Sequence, residues 1–189
     1  MGRWEPGARE RLERAALELY VERGFEQTTV AEITNRAGLT ERTFFRHFAD
    51  KREVLFAGQV EVLEACANAI AAAPEAAAPL DAVAEALRTL SVRLQERREL
   101  SRQRQTVIAA NAGLQERELL KLALLASAMA DALRRRGVAE PTASLIAEAG
   151  VAVFKVAYER WIGEPGGRML ADIVQDSFHQ LKDATAGRT

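Results

Sequence analysis

Apolar residues recur at helical spacing through most of the chain. Leu12, Ala15, Ala16, Leu19 and Tyr20 form one stripe that closes near Gly24, the repeat of a helix with one face on a core. Val30, Ile33 and Ala37 form a shorter stripe. Thr29 precedes it with Glu32 three residues on, so hydroxyl and carboxylate can satisfy each other's orphan amides, and Gly38 follows where a left-handed closing residue is wanted. A helix of about Val30 to Ala37 is therefore predicted. Thr40 is a good N-cap for the next helix, and Leu39 with Phe44 has the spacing of a hydrophobic staple. Phe44 and Phe48 are four apart and share one face, leaving Thr40, Glu41, Arg42, Thr43, Phe45 and Arg46 turned elsewhere.

Further on, Asp50 and Glu53 repeat the capping arrangement. Leu55, Phe56, Leu63, Cys66 and Ile70 then run toward Ala73 with no loop signal, predicting one long helix that couples two parts of the chain mechanically. Residues 71–80, AAAPEAAAPL, form the clearest linker, because two prolines interrupt a stretch of small residues. Four more helices are expected at about 79–97, 98–136 with a break near Asn111 to Gly113, 140–163 and 168–184. No strand-like alternation or internal repeat is visible. The expected fold class is all-α: a three-helix domain with a helix-turn-helix over residues 1–52, then a larger helical domain over residues 53–189.

The segment SLIAEAGVAVFKVAYERW is apolar over more than one stripe, so it is buried either wholly within its domain or by the domain on one side and a partner on the other. Gly150, Ala147, Ala149 and Ala152 permit close helix approach. The last helix carries a narrower stripe of Leu170, Ile173, Val174, Phe178 and Leu181. Both are read as a homodimer interface, over about 143–161 and 168–184, paired with their copies as a four-helix bundle.

Composition narrows the class. The 189 residues, 48% hydrophobic, suffice for a sizeable core. No apolar run is expected to approach the ~20 residues of a bilayer span, and the charged start GRWEPGARERLERA lacks the apolar centre of a signal peptide, so a soluble cytoplasmic protein is expected. The lone Cys66 reads as a small buried hydrophobe. Net charge is -1, yet between Arg36 and Arg52 five basic residues (Arg36, Arg42, Arg46, Lys51, Arg52) face two acidic ones (Glu41, Asp50). A charge cluster alone is usually a solvated face. Here it accompanies a helix whose free face suits the major groove, where Arg forks onto guanine, Glu accepts from cytosine, and Thr or an aromatic meets the thymine methyl.

The order of a long first helix, TTVAEIT, and AGLTERTFFRHFADKREVL resembles the N-terminal DNA-binding domain of the tetracycline-repressor (TetR) family of bacterial regulators, over about residues 9–57. The resemblance implies that Thr40 to His47 is a recognition helix. It also implies that Thr28, Thr40, Thr43, His47 and Lys51 hold the DNA backbone, Lys51 on a phosphate, while Glu41, Arg42, Phe45 and Arg46 approach bases. The family usually has leucine then tyrosine where this chain has Phe44 and Phe45. Lacking the phenol, Phe45 is expected to make apolar contact with a base or sugar. The resemblance further implies dimerisation through the last two helices, repression as the commoner mode, and a small-molecule pocket whose occupation moves the coupling helix and spreads the two reading heads. Two such heads about 34 to 36 Å apart read a palindrome.

Polar or polarizable residues within apolar helices, Gln59, Cys66, Gln103, Thr106, Ser127, Met129 and Tyr158, are candidates to line that pocket. With 6% aromatic content and no cationic cage or phosphate cradle, a largely apolar organic effector is expected. No cofactor, metal or membrane partner is expected. Enzymatic activity is not expected either: His47 sits in the recognition helix, His179 near the end, and no paired-histidine or Ser-His-Asp set can be nominated. IGEPGG, Gly163 to Gly167 within it, reads as a helix-ending turn rather than a phosphate loop. The alternatives are a helical protein-interaction adaptor and a TetR-like activator.

Overall fold

The computed structural model describes residues 7–164 and 166–187. Nine α-helices occur among them: α1 (Ala8–Arg23), α2 (Val30–Ala37), α3 (Glu41–His47), α4 (Gln59–Ala72), α5 (Pro79–Gln95), α6 (Arg98–Ala109), α7 (Ala112–Arg135), α8 (Thr142–Gly163) and α9 (Leu170–Thr185). The described residues contain no strand, so the fold class is all-α. Pro165, within the expected turn after α8, and the first six residues lie outside the described residues.

Residues up to Ala57 together with Arg102–Glu118 form one compact unit, and Gly58–Ser101 with the residues from Leu119 onward form a second. In the first unit the α1 stripe is buried as its spacing requires, with Ile33, Ala37, Phe44, Phe48 and Phe56. The segment from Arg102 is tied into this unit by two arginines. Arg104 donates from Nε to the Leu55 carbonyl at 2.5 Å and from Nη2 to Glu118 at 2.6 Å, while Arg117 pairs with Glu53. Both guanidiniums lie against the Phe56 ring, at 5.1 and 5.4 Å from its centroid, a cation–π arrangement that also shields the aromatic from water.

The expected unbroken helix from residue 53 to 73 is corrected. Asp50 Oδ1 does accept the Arg52 and Glu53 amides, but these open only a short 3₁₀ turn, Glu53–Phe56. Gly58, at φ 79, then breaks the run before α4, because only glycine adopts that conformation without penalty. The absence of a span-length apolar run is corrected too. Glu53–Ala72 spans 20 residues and holds an 18-residue window of mean hydropathy 1.4, but the break leaves α4 with 14 residues, too short for a bilayer core.

The second unit is built on one cluster drawn from α4, α5, α7, α8 and α9. Gly150 on α8 faces α5 so closely that a Cβ there would lie 2.4 Å from Val83 Cγ1. Two helix C-termini in this unit, whose last carbonyls lack intrahelical partners, are closed by arginines. Arg136 donates to the carbonyls of Ile70, Ala73 and Pro74 at the end of α4. Arg98 donates to those of Trp161, Glu164 and Gly166 at the end of α8, a position where its charge also complements the helix dipole.

The α9 stripe is taken up inside the chain. Leu170, Ile173, Val174 and Phe178 are buried in the same cluster, and the outward positions include Asp172, Gln175, His179, Gln180 and Asp183. On α8 an outward row survives: Leu145 and Val156 are 66% and 61% exposed, with Ala149 and Ala152 between them.

Candidate nucleic-acid interface

The α2 to α3 hairpin forms as the sequence dictates. Thr29 and Glu32 make the reciprocal capping box. Gly38 closes α2 at φ 63, and the Leu39 amide reaches back to the Thr34 carbonyl at 2.8 Å. Arg11 of α1 donates to the Ala37 carbonyl at 2.5 Å, fixing the turn to the first helix. Thr40 caps α3 by accepting from the Thr43 amide, and the two hydroxyls lie 3.1 Å apart. One of the two therefore keeps a hydrogen to direct outward.

Phe44 and Phe48 are buried, with ring centroids 5.4 Å apart. This pins one side of α3 and exposes the other: Thr40, Glu41, Arg42, Phe45 and Arg46 are exposed and Thr43 is half-buried. Phe45 is 55% exposed, yet its ring stands edge-on to Phe44 at 5.4 Å and 82°, a favoured aromatic geometry.

The positive charge is distributed differently from the expectation. Arg36 forks onto Glu22 at 2.9 and 3.0 Å and reaches Glu18 at 3.4 Å. Arg52 is paired with Asp50 at 2.7 Å. Lys51 donates to the carbonyls of Phe25, Glu26 and Thr28 at 2.9, 3.1 and 3.0 Å. Arg42 and Arg46 make no hydrogen bond or ion pair with the described residues, so the uncommitted cations lie on α3 itself.

Two residues assigned to the DNA backbone occupy structural positions here. Thr28 is 1% exposed and donates its hydroxyl to the Gly24 carbonyl at 2.9 Å. Lys51 has all three donors engaged on the loop between α1 and α2. Tyr20 completes this loop, donating to the Lys51 carbonyl at 2.6 Å. Burial, then the charge of Asp50, pushes its phenol far above the ordinary value, so Tyr20 is an obligate donor there. His47 is half-buried, with Nε2 lacking a partner among the described residues. Desolvation, then Arg46 and Arg9, hold its pKa below the usual value against the opposing pull of Glu10, so the neutral ring is favoured.

The seven residues assigned to an effector pocket divide between the two units. Gln103 and Thr106 belong to the first unit, and Gln59, Cys66, Ser127, Met129 and Tyr158 to the second, with Ser127 exposed. Thr106 is exposed with its hydroxyl on the Arg102 carbonyl, Cys66 and Met129 are buried in the core, and Gln59, Gln103 and Tyr158 are half-buried. Burial raises the Cys66 thiol to about 11, which leaves it a packing residue at neutral pH. A groove of about 410 Å³ between α4 and α5 touches Cys66 alone of the seven, and it also meets Glu61, Glu64, Asn68, Thr89 and Arg93. It is more polar than the expected pocket.

A short helix pinned by its apolar edge, presenting Arg and Glu with an aromatic, on an all-helical chain, defines the class of helix-turn-helix DNA-binding regulators. Residues 13–57 match the family described as bacterial regulatory proteins of the tetR family, and residues 77–186, more than half the chain, match the MftR C-terminal domain. The chain belongs to the tetR family, with a C-terminal domain of the MftR type. It is 39% identical over 88 residues to the HTH-type transcriptional regulator TcmR of Streptomyces glaucescens; the match takes in 47% of this chain and spans only 39% of that relative's length. Among solved structures it is similar to FadR of Thermus thermophilus, a TetR-family repressor determined in complex with lauroyl-CoA (22% identity, 93% of each chain, TM-score 0.57). It is also similar to a protein of Syntrophomonas wolfei described as a TetR-family transcriptional regulator (16% identity, 96% of each chain, TM-score 0.69). At these identities the structural likeness establishes the fold.

Proposed function

We propose that the chain is a dimeric, sequence-specific repressor acting in the cytoplasm and released from a palindromic operator by a small, largely apolar organic effector. The observation that carries this reading is the exposed row of Glu41, Arg42, Phe45 and Arg46 on a helix whose opposite edge is buried through Phe44 and Phe48. Residues 1–52 read DNA, with Glu53–Phe56 and Arg102–Glu118 buttressing them, and the remainder of 53–189 serves dimerisation and effector binding. Thr40, Thr43 and His47 flank the base-reading face toward the phosphates, while Thr28 and Lys51 support it by shaping the loop before α2.

Dimerisation is assigned to the outward α8 row of Leu145, Ala149, Ala152 and Val156, whose spacing of four, three and four is that of a helix–helix seam. Val156→Glu should convert a sedimenting dimer into a folded monomer; a dimer that persists places the interface elsewhere. FadR's lauroyl-CoA supports an acyl-like effector class by fold alone. Selection of bound duplexes from a random pool tests the main reading. It should enrich an inverted repeat with half-site centres about one DNA turn apart, and recovery of unrelated sequences contradicts it.

The protein-interaction adaptor retains one supporting observation, the row of Leu119, Leu120 and Leu124 on α7, 61%, 57% and 44% exposed. Binding to duplex with no salt dependence would favour it.

A further inference from the structure

Phe45 is the large apolar side chain that the reading helix leaves in solvent. Single exposed apolar residues are ordinary on protein surfaces, so its exposure alone says little. Its placement says more. Glu41, Arg42, Phe45 and Arg46 occupy relative positions one, two, five and six of α3, which on a helix share one face of about 140°, with Phe45 between Glu41 and Arg42 around the circumference. Phe45 is therefore flanked by three groups capable of reading base edges by hydrogen bonding, yet it has no donor or acceptor of its own. Its edge-to-face contact with the fully buried Phe44 also holds the ring in place, so little side-chain freedom remains to be lost on contact.

A ring of this kind has one base-specific target in the major groove. Guanine, adenine and cytosine present only acceptors and donors on that edge, against which an apolar ring leaves polar groups unpaired; thymine adds a 5-methyl group. We propose that Phe45 reads the 5-methyl of a thymine in each operator half-site, between the positions addressed by Arg42 and Arg46. This rests on the DNA-reading function proposed above and specifies one base within it. The two arginines lie four residues apart, a rise of about 6 Å along the helix, or nearly two base steps at 3.4 Å. The thymine is accordingly adjacent to or between the two bases that the arginines reach.

Uracil tests the proposal, because replacing thymine by uracil removes the methyl and leaves every hydrogen-bonding group. With an operator selected from a random duplex pool, each thymine is replaced by uracil in turn, at symmetric positions in both half-sites. Affinity is measured for the wild type, Phe45→Ala and Phe45→Leu, with folding of each variant checked by thermal unfolding. One symmetric position should weaken wild-type binding about fourfold per half-site, the worth of one buried methyl group. That sensitivity should vanish in Phe45→Ala and persist in part in Phe45→Leu. Wild-type binding indifferent to uracil everywhere, or a uracil effect unchanged in Phe45→Ala, overturns the assignment while leaving DNA reading intact. Failure of the wild type to bind any duplex overturns both.

Discussion

The ammonium of Lys51 lies 2.9 Å from the carbonyl oxygen of Phe25 and 4.6 Å from the centroid of the same residue's ring. Two further carbonyls, of Glu26 and Thr28, complete its set of acceptors. This lysine binds the loop between α1 and α2 to the segment after α3, and so sets where the reading helix stands. Lys51→Ala should lower stability by about 2 kcal/mol, the scale of hydrogen bonds from a charged group, seen as a lower urea midpoint. An unchanged midpoint, with the slope of log K against log salt flattened by about one, would instead make Lys51 a phosphate contact.

His47 gives the reading unit a pH dependence. Its folded pKa is lowered by desolvation first, then by Arg46 and Arg9, whereas in the unfolded chain it is close to 6.5. Below that value the unfolded chain takes up a proton that the folded chain resists. The stability contributed by the neutral ring is therefore complete above about pH 6.5 and is lost as pH falls toward the lowered folded value. Thermal unfolding of wild type and His47→Gln across pH 5 to 8 should show a steeper acid-side loss in the wild type. Parallel profiles would remove His47 as the cause.

Gly150 sets the approach of α8 to α5. Alanine is the better helix former by about 1 kcal/mol, but its Cβ would lie 2.4 Å from Val83 Cγ1, and a β-branched side chain has little rotamer freedom with which to yield. Overpacking costs of about 1–3 kcal/mol win. Gly150→Ala should lower the denaturant midpoint, and adding Val83→Ala should recover much of the loss. A single variant as stable as wild type would show that the contact relaxes freely.

The reading hairpin was legible in the sequence because its determinants are local. Thr29 with Glu32, Gly38, Thr40, and the Phe44/Phe48 pair act within four residues of one another. What the sequence concealed depends on distant backbone. Nothing near Lys51 reveals that three carbonyls from residues 25–28 await it, and the family resemblance places its charge on a phosphate instead. Likewise, Arg104 gives no local sign of its bond to the Leu55 carbonyl, so the membership of Arg102–Glu118 in the first unit was hidden. The break at Gly58 was masked by apolar periodicity continuing through it. The candidate pocket residues were chosen by polarity within apolar helices, a criterion that does not distinguish a buried Met129 from an exposed Thr106.

Sequence-specific binding depends on Arg42 reading a base from an exposed helix face. Its most direct test is a salt titration of wild type and Arg42→Ala on the selected operator and on random duplex. Wild-type affinity should fall steeply with salt on both. Arg42→Ala should lose ~1 to 3 kcal/mol on the operator while random-duplex binding changes far less. Equal losses on the two duplexes, or a wild-type affinity indifferent to salt, would contradict it.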